Sequence, residues 1–180
     1  LSPPVFRKPV FSSVLKFSRP LLRRCVLREV SRGGQVYVVD NSVKNVLSLF
    51  VFLSSFFKHV SVGFLHGSLP KKEIDETMSL FRSKKTSILV STSIIESGID
   101  VSAAGTIVVN NAHMFGLSQL HQLRGRVGRS SLQSYAYFFV PSVLDKSSVS
   151  FGRLAAIQKH SSLGSGYKII QVTLDFYTSR

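Results

Sequence analysis

The chain has 180 residues, 44% of them hydrophobic and 14 of them Phe, which is enough for one domain with a sizeable core. Lys and Arg total 23 against 9 Asp and Glu, and the formal charge of +14 favours polyanionic partners, nucleic acid ahead of an anionic membrane surface. Cys25 is the single cysteine, so no intrachain disulfide can form, and no apolar run reaches the roughly 18 residues that a membrane-spanning helix requires.

Leu1 to Arg19 contain Pro3, Pro4 and Pro9 and read as irregular. They lack the compact apolar stretch and small-residue cleavage site of a secretory signal, so the expected setting is the reducing cytoplasm. The absence of an initiating Met points to a chain that starts inside a longer polypeptide or has been trimmed. Pro20 suits the first turn of a helix running to about Arg32, where Gly33-Gly34 stop it. Gln35 to Val39 is a β-branched, aromatic strand candidate, and Asp40-Asn41-Ser42 can cap a helix extending through Leu47 to Phe57. The apolar stretch Val46 to Phe57, interrupted by Ser48, Ser54 and Ser55, reads as a buried helix. Val60 to Phe64 is the next strand, ending at His66-Gly67. Lys71 to Arg82 then places Ile74, Met78 and Phe81 at the spacing of one helix face.

Ser87 to Val90 and Thr106 to Val109 are apolar enough for a parallel sheet covered on both sides. Leu117 to Arg124 reads as a helix, Tyr135 to Val140 as a strand before Pro141, and Ser147 to Ser162 as a helix. Leu163 to Arg180 has no clear periodicity. Alternating strands and helices predict an α/β domain with a doubly wound, mainly parallel sheet and helices on both faces. The chain divides into an N-terminal extension with a lead-in helix (1–32), the α/β domain (33–145) and a C-terminal extension (146–180). Ligands of such sheets sit outside the carboxyl ends of the strands. Thr92, Asp100 and the arginine-rich segment after Leu123 all follow candidate strands, so they are expected to gather there.

Two segments are dense in chemistry. In Gln122-Leu123-Arg124-Gly125-Arg126-Val127-Gly128-Arg129, guanidiniums beside glycine turns can grip phosphate oxygens bidentately while the backbone comes close. A basic loop that only touches a phosphate backbone is the simpler alternative, and Arg124 divides evenly between surface charge and support of the motif. In Ile88 to Asp100, the hydroxyl of Thr92 and nearby amides can bond a nucleic-acid phosphate without reading sequence; an ordinary strand-to-helix turn is the alternative, and Glu96 reads as structural. His66, His113, His121 and His160 have no Cys or carboxylate neighbours at ligand spacing, so no metal site is expected. No Gly-Lys dipeptide occurs, which excludes a Walker A loop, and Asp75-Glu76 lies in a helical pattern unlike Walker B.

The two segments, in this order and at this distance, resemble motifs V and VI of superfamily 2 helicases and translocases, which lie on the second of two RecA-like lobes. Arg32-Gly33-Gly34-Gln35-Val36-Tyr37, Ile94 to Val101 and Phe115 to Arg129 narrow the resemblance to the bacterial transcription-repair coupling factor family. RecG-type helicases share much of the last two stretches, and the likeness extends over about Pro3 to Ile170. It implies the second motor lobe of an ATP-dependent double-stranded DNA translocase for transcription-coupled repair. Arg126 and Arg129 would act as arginine fingers on the γ-phosphate and Gln122 would position the loop or a water. Gly98 and Asp100 would lie near the nucleotide, and Thr92, His66 and Gly67 would meet the DNA backbone. ATP with Mg2+ would be held mainly by a Walker-bearing first lobe. RNA polymerase and excision-repair proteins are partners by resemblance alone, and no membrane is implied. Asn110 and His113 stand where acids are expected, and after Ile170 the likeness fades, with Val172 and Thr173 in place of Arg-Asp. The alternatives are an isolated DNA-binding RecA-like module and a decayed remnant without ATPase activity.

Overall fold

A computed structural model describes residues 8–93, 101, 103–128, 132–143 and 147–159. Its six strands are β1 (Phe11–Lys16), β2 (Val36–Asp40), β3 (Val62–Leu65), β4 (Ile88–Thr92), β5 (Thr106–Val109) and β6 (Tyr135–Val140). The helices are α1 (Arg19–Ser31), α2 (Val43–Phe56), α3 (Lys71–Arg82), α4 (Leu117–Arg124) and α5 (Val149–Lys159), with a 3-10 turn at Ala112–Met114. The strands form one sheet in the order β1-β6-β5-β2-β4-β3, and every pairing is parallel.

A parallel sheet needs cover on both faces, and alternate side chains feed two cores. Tyr37, Val39, Leu89, Ile107 and Phe138 pack with Met78 and Phe81 of α3, Leu120 and Leu123 of α4, and Leu154 and Ile157 of α5. Val36, Val38, Val90, Val108 and Phe139 pack with Leu22, Cys25 and Val26 of α1 and Val46, Leu49 and Leu53 of α2. The expected doubly wound α/β fold is therefore present.

Three local expectations change. Phe11–Lys16, read as irregular, is a strand whose six residues pair with Tyr135–Val140. Its alternation is weak, with Ser12 and Ser13 both buried, and its partner is more than a hundred residues away. The helix read as buried, α2, begins at Val43 and leaves Val43, Leu47, Val51 and Phe56 exposed, because only one of its faces meets the sheet. Ser42 stands at its N-cap but makes no side-chain cap; its backbone N–H donates instead to Asp40 Oδ1 at 2.8 Å.

The end of α1 was legible. Ser18 caps the helix, accepting from the backbone N–H of Leu21 at 3.3 Å, and Gly33 ends it with φ +77°, a conformation that glycine takes without a Cβ penalty. The turn encloses Glu29, which is 1% exposed. Its carboxylate accepts from Arg32 Nε at 3.1 Å, Arg32 Nη2 at 2.5 Å and Thr106 Oγ1 at 2.5 Å. A Cβ at Gly34 or Gly105 would overlap that carboxylate. Arg32 also donates to Gln133 O at 2.7 Å, which ties α1 to the entry of β6.

Candidate functional site

The carboxyl edge of the sheet centres on the ends of β2, β4 and β5. Asp40, fully buried, closes β2 opposite Thr92 of β4. Four groups donate to its carboxylate: Ser42 N (2.8 Å) and Asn45 Nδ2 (3.1 Å) to Oδ1, and Asn110 Nδ2 (2.7 Å) and Asn111 Nδ2 (3.0 Å) to Oδ2. Among the described residues no cation takes part, and amide N–H groups meet the charge. Asn111 adopts φ +50°, a left-handed conformation that Asn tolerates better than most residues. The resemblance led to acids at 110 and 113. At 110 a second carboxylate would face Asp40 at hydrogen-bond distance, so the neutral amide fits the charge already there. His113 is partly buried, and desolvation lowers its pKa against a smaller opposing pull from Asp40, which favours the neutral ring.

Thr92 is 1% exposed, and its Oγ1 has no hydrogen-bond partner among the described residues. An unpaired buried hydroxyl costs about 1–3 kcal/mol unless something supplies the missing bond. His66 follows Leu65, which pairs with Ser91, so the His66-Gly67 loop lies beside Thr92 at the neighbouring strand end. The His66 ring stacks on Phe64 at 6.1 Å, its Nδ1 is buried without a partner, and Gly67 is exposed. Thr92, His66 and Gly67 thus lie at neighbouring strand ends. Ser93 is the last described residue after β4; Gly98, Asp100 and Glu96 lie outside the described residues.

The arginine segment is not at this edge, which corrects the expectation. α4 carries the chain back along the sheet for about 12 Å. The loop after it meets the amino ends of the strands: Gly128 N donates to Ala104 O at 3.4 Å, just before β5. Gly128 has φ +96°, and a Cβ there would press on Ser134 and Val10, which precede β6 and β1. Val127 is buried and anchors the loop, while Arg126 between the two glycines is partly exposed and Gln122 is exposed on α4. Arg129 lies outside the described residues. Arg124, left open by the sequence, is structural: it donates to Ile157 O at 3.2 Å and pairs with His121 Nδ1 at 2.9 Å, tying α4 to the last turn of α5.

Sequence reasoning missed Asp40 as an organising group. The only signal was a cluster of Asn residues at two strand ends 70 positions apart, which becomes visible only once β2 and β5 are known to be neighbours. Among the described residues no three His, Cys, Asp or Glu lie close enough to hold a metal ion, and no helix is long and apolar enough to cross a membrane.

Residues 19–131 match the helicase conserved C-terminal domain. The transcription-repair-coupling factor of Myxococcus xanthus is 41% identical over 174 residues, 97% of this chain and 14% of that protein. Its counterpart in Buchnera aphidicola subsp. Acyrthosiphon pisum is 38% identical over 173 residues, 96% of this chain and 21% of that protein. The chain therefore spans a small part of these curated relatives. A solved structure of RecG bound to a three-way DNA junction shares the fold with a TM-score of 0.71 at 34% identity, over 95% of this chain and 22% of that one. The C-terminal domain of the DEAD-box protein Dbp5, at 23% identity and a TM-score of 0.60 over 88% of this chain and 87% of its own, shares the fold alone.

Proposed function

The chain belongs to the family of helicase conserved C-terminal domains, and we propose on that premise that it is the second motor lobe of an ATP-driven translocase on double-stranded DNA, acting in transcription-coupled repair. The observation that carries the reading is the buried Thr92 hydroxyl, unpartnered at a strand end beside His66-Gly67. DNA would meet this edge first at the exposed Gly67 loop, which admits a backbone closely, and a phosphate oxygen would accept from Thr92 on a local opening that uncovers its hydroxyl.

The opposite edge serves the nucleotide in this reading. Magnesium-ATP, held mainly by a first RecA-like lobe, supplies the phosphoryl chemistry that drives movement. The residues present fit the finger half of such a site: buried Val127 and the backbone bond of Gly128 fix the loop, and Arg126 stands partly exposed between two glycines. Arg126 and Arg129 would stabilise charge on the γ-phosphate as it is transferred, and Gln122 would position the loop or a water. Gly98 and Asp100 would couple nucleotide and DNA sites. RNA polymerase and excision-repair proteins as partners belong to the same proposal.

The test is fluorescence anisotropy of duplex DNA over a salt series with the wild type and Thr92→Val. Affinity should fall with salt by a log–log slope of about −0.9 per phosphate contacted. Thr92→Val should weaken binding about tenfold without lowering stability, because the lost hydroxyl has no partner among the described residues. Unchanged affinity in that variant would remove the residue from the interface. The second reading, a DNA-binding module without motor activity, is favoured by the charge of +14; it differs in that no added first lobe would produce turnover.

A further inference from the structure

A crevice of about 420 Å3 opens at the carboxyl edge between α2 and the ends of β5 and β6. The chain leaves β2 through α2 on one face of the sheet and leaves β5 through α4 on the other, so this is where the winding reverses and α/β sheets form ligand crevices. Thr92 and His66 are not among its lining residues.

The polarity of the crevice follows from Asp40. A carboxylate is acceptor-only, so the side chains of Asn45, Asn110 and Asn111 must each turn Nδ2 towards it, and the amide orientation is fixed by chemistry. The three Oδ1 atoms are left as acceptors, and no described residue donates to them. The same three residues line the crevice, Asn110 being 9% exposed. Ser48 adds a hydroxyl at the wall. The apolar part includes Phe17, 37% exposed with one edge on Phe139, and Phe52, above which Arg19 Cζ stands at 5.3 Å. Arg19 has no carboxylate within ion-pair distance among the described residues.

We propose that this crevice binds one unstacked nucleotide, its base edge donating to the carboxamide oxygens of Asn45, Asn110 and Asn111 and its phosphate meeting Arg19. A wall of acceptors selects bases by their donors. Guanine, with N1–H and N2–H2 on one edge, matches best, and thymine, with a single N–H between two carbonyls, matches worst. The buried carboxylate behind the amides strengthens that preference, and Arg19 supplies the positive charge for the phosphate. The volume lies within the usual range of small-molecule sites. The inference shares its polyanion chemistry with the DNA-binding reading but uses other residues, and a free nucleoside monophosphate carries the same groups as a nucleotide in a strand.

Two titrations followed by NMR chemical-shift changes test it. One uses guanosine and thymidine monophosphates; the other uses single-stranded dT oligonucleotides with and without one central guanine. Guanine should bind at least tenfold more tightly than thymine in one arm or both, with shifts at Asn45, Asn110 and Asn111. A preference in the first arm alone identifies a free nucleotide as ligand, and one in the second alone identifies a strand. Ser48→Phe, a change at an exposed residue that fills the crevice, should abolish the preference while the melting temperature holds, and Arg19→Ala should weaken binding in both bases alike. Base-independent binding, or a guanine preference that survives Ser48→Phe, would overturn the proposal. Neither result bears on Thr92, so the duplex-DNA reading stands or falls separately.

Discussion

Glu29 and Gly34 should behave as one unit. Glu29 is buried, and its carboxylate holds Arg32 through two hydrogen bonds and Thr106 through a third. Breaking a buried pair by removing one partner costs about 3–5 kcal/mol. Arg32 is 25% exposed and keeps its bond to Gln133 O, so hydration recovers part of the loss and Glu29→Ala should cost about 3 kcal/mol. Gly34→Ala reaches the same end by another route. Its Cβ would occupy the position of the carboxylate, and Glu29 can yield only by leaving Arg32 and Thr106. That variant should also lose about 3 kcal/mol. In Glu29→Ala the three atoms nearest the new methyl group, all from the Glu29 side chain, are gone. The double variant should therefore cost little more than either single, a coupling of about 2 kcal/mol or more in a double-mutant cycle. Urea unfolding followed by circular dichroism measures all four proteins. Additive losses, near 6 kcal/mol for the double variant, would refute the reasoning, since the two residues would then act through separate contacts.

Stability should fall in alkali. Burial pushes the Cys25 thiol up to about 12 from 9.0, and burial, then the neighbouring Cys25, pushes the Tyr137 phenol up to about 12 from 10.0. The unfolded chain releases these protons first, so stability is complete below about pH 9 and declines towards pH 12 by about 1.4 kcal/mol per pH unit and group. Urea midpoints between pH 8 and 11 should show the decline, and Cys25→Ala should make it shallower; a flat profile would contradict the assignment. Arg124→Ala removes the tie from α4 to Ile157 O at the end of α5, where a cation also suits the helix dipole, at a cost of about 1 kcal/mol. Hydrogen exchange over residues 149–157 should quicken in that variant while the central strands stay protected, and unchanged exchange there would show that α5 is held by its apolar contacts alone.

The sheet was legible because β2, β4, β5 and β6 are short β-branched or aromatic runs, buried on both faces, that need no distant partner to be recognised. Phe11–Lys16 was not, because its two serines obscure the alternation and only β6 makes it a strand. Thr92 and His66-Gly67 were singled out from strand ends and the family resemblance, and parallel register sets them side by side. The arginine loop was recognised by composition but assigned to the wrong edge. A motif after a strand is at the carboxyl edge only if no helix intervenes, and α4 takes Arg126 back to the amino end. Asp40 looked like a helix cap because its amide partners Asn110 and Asn111 come from another strand end. Such a hub depends on strand order, which local sequence patterns do not contain.

The most direct test of the motor assignment is ATP turnover by this chain joined to the first RecA-like lobe of a homologous coupling factor, with and without duplex DNA. The chain alone should show little turnover, and the joined lobes should show turnover stimulated by DNA. Arg126→Ala should lower the rate by about 10³ or more while circular dichroism reports an unchanged fold. Full turnover in Arg126→Ala, or none in the joined wild-type lobes, would contradict the motor assignment.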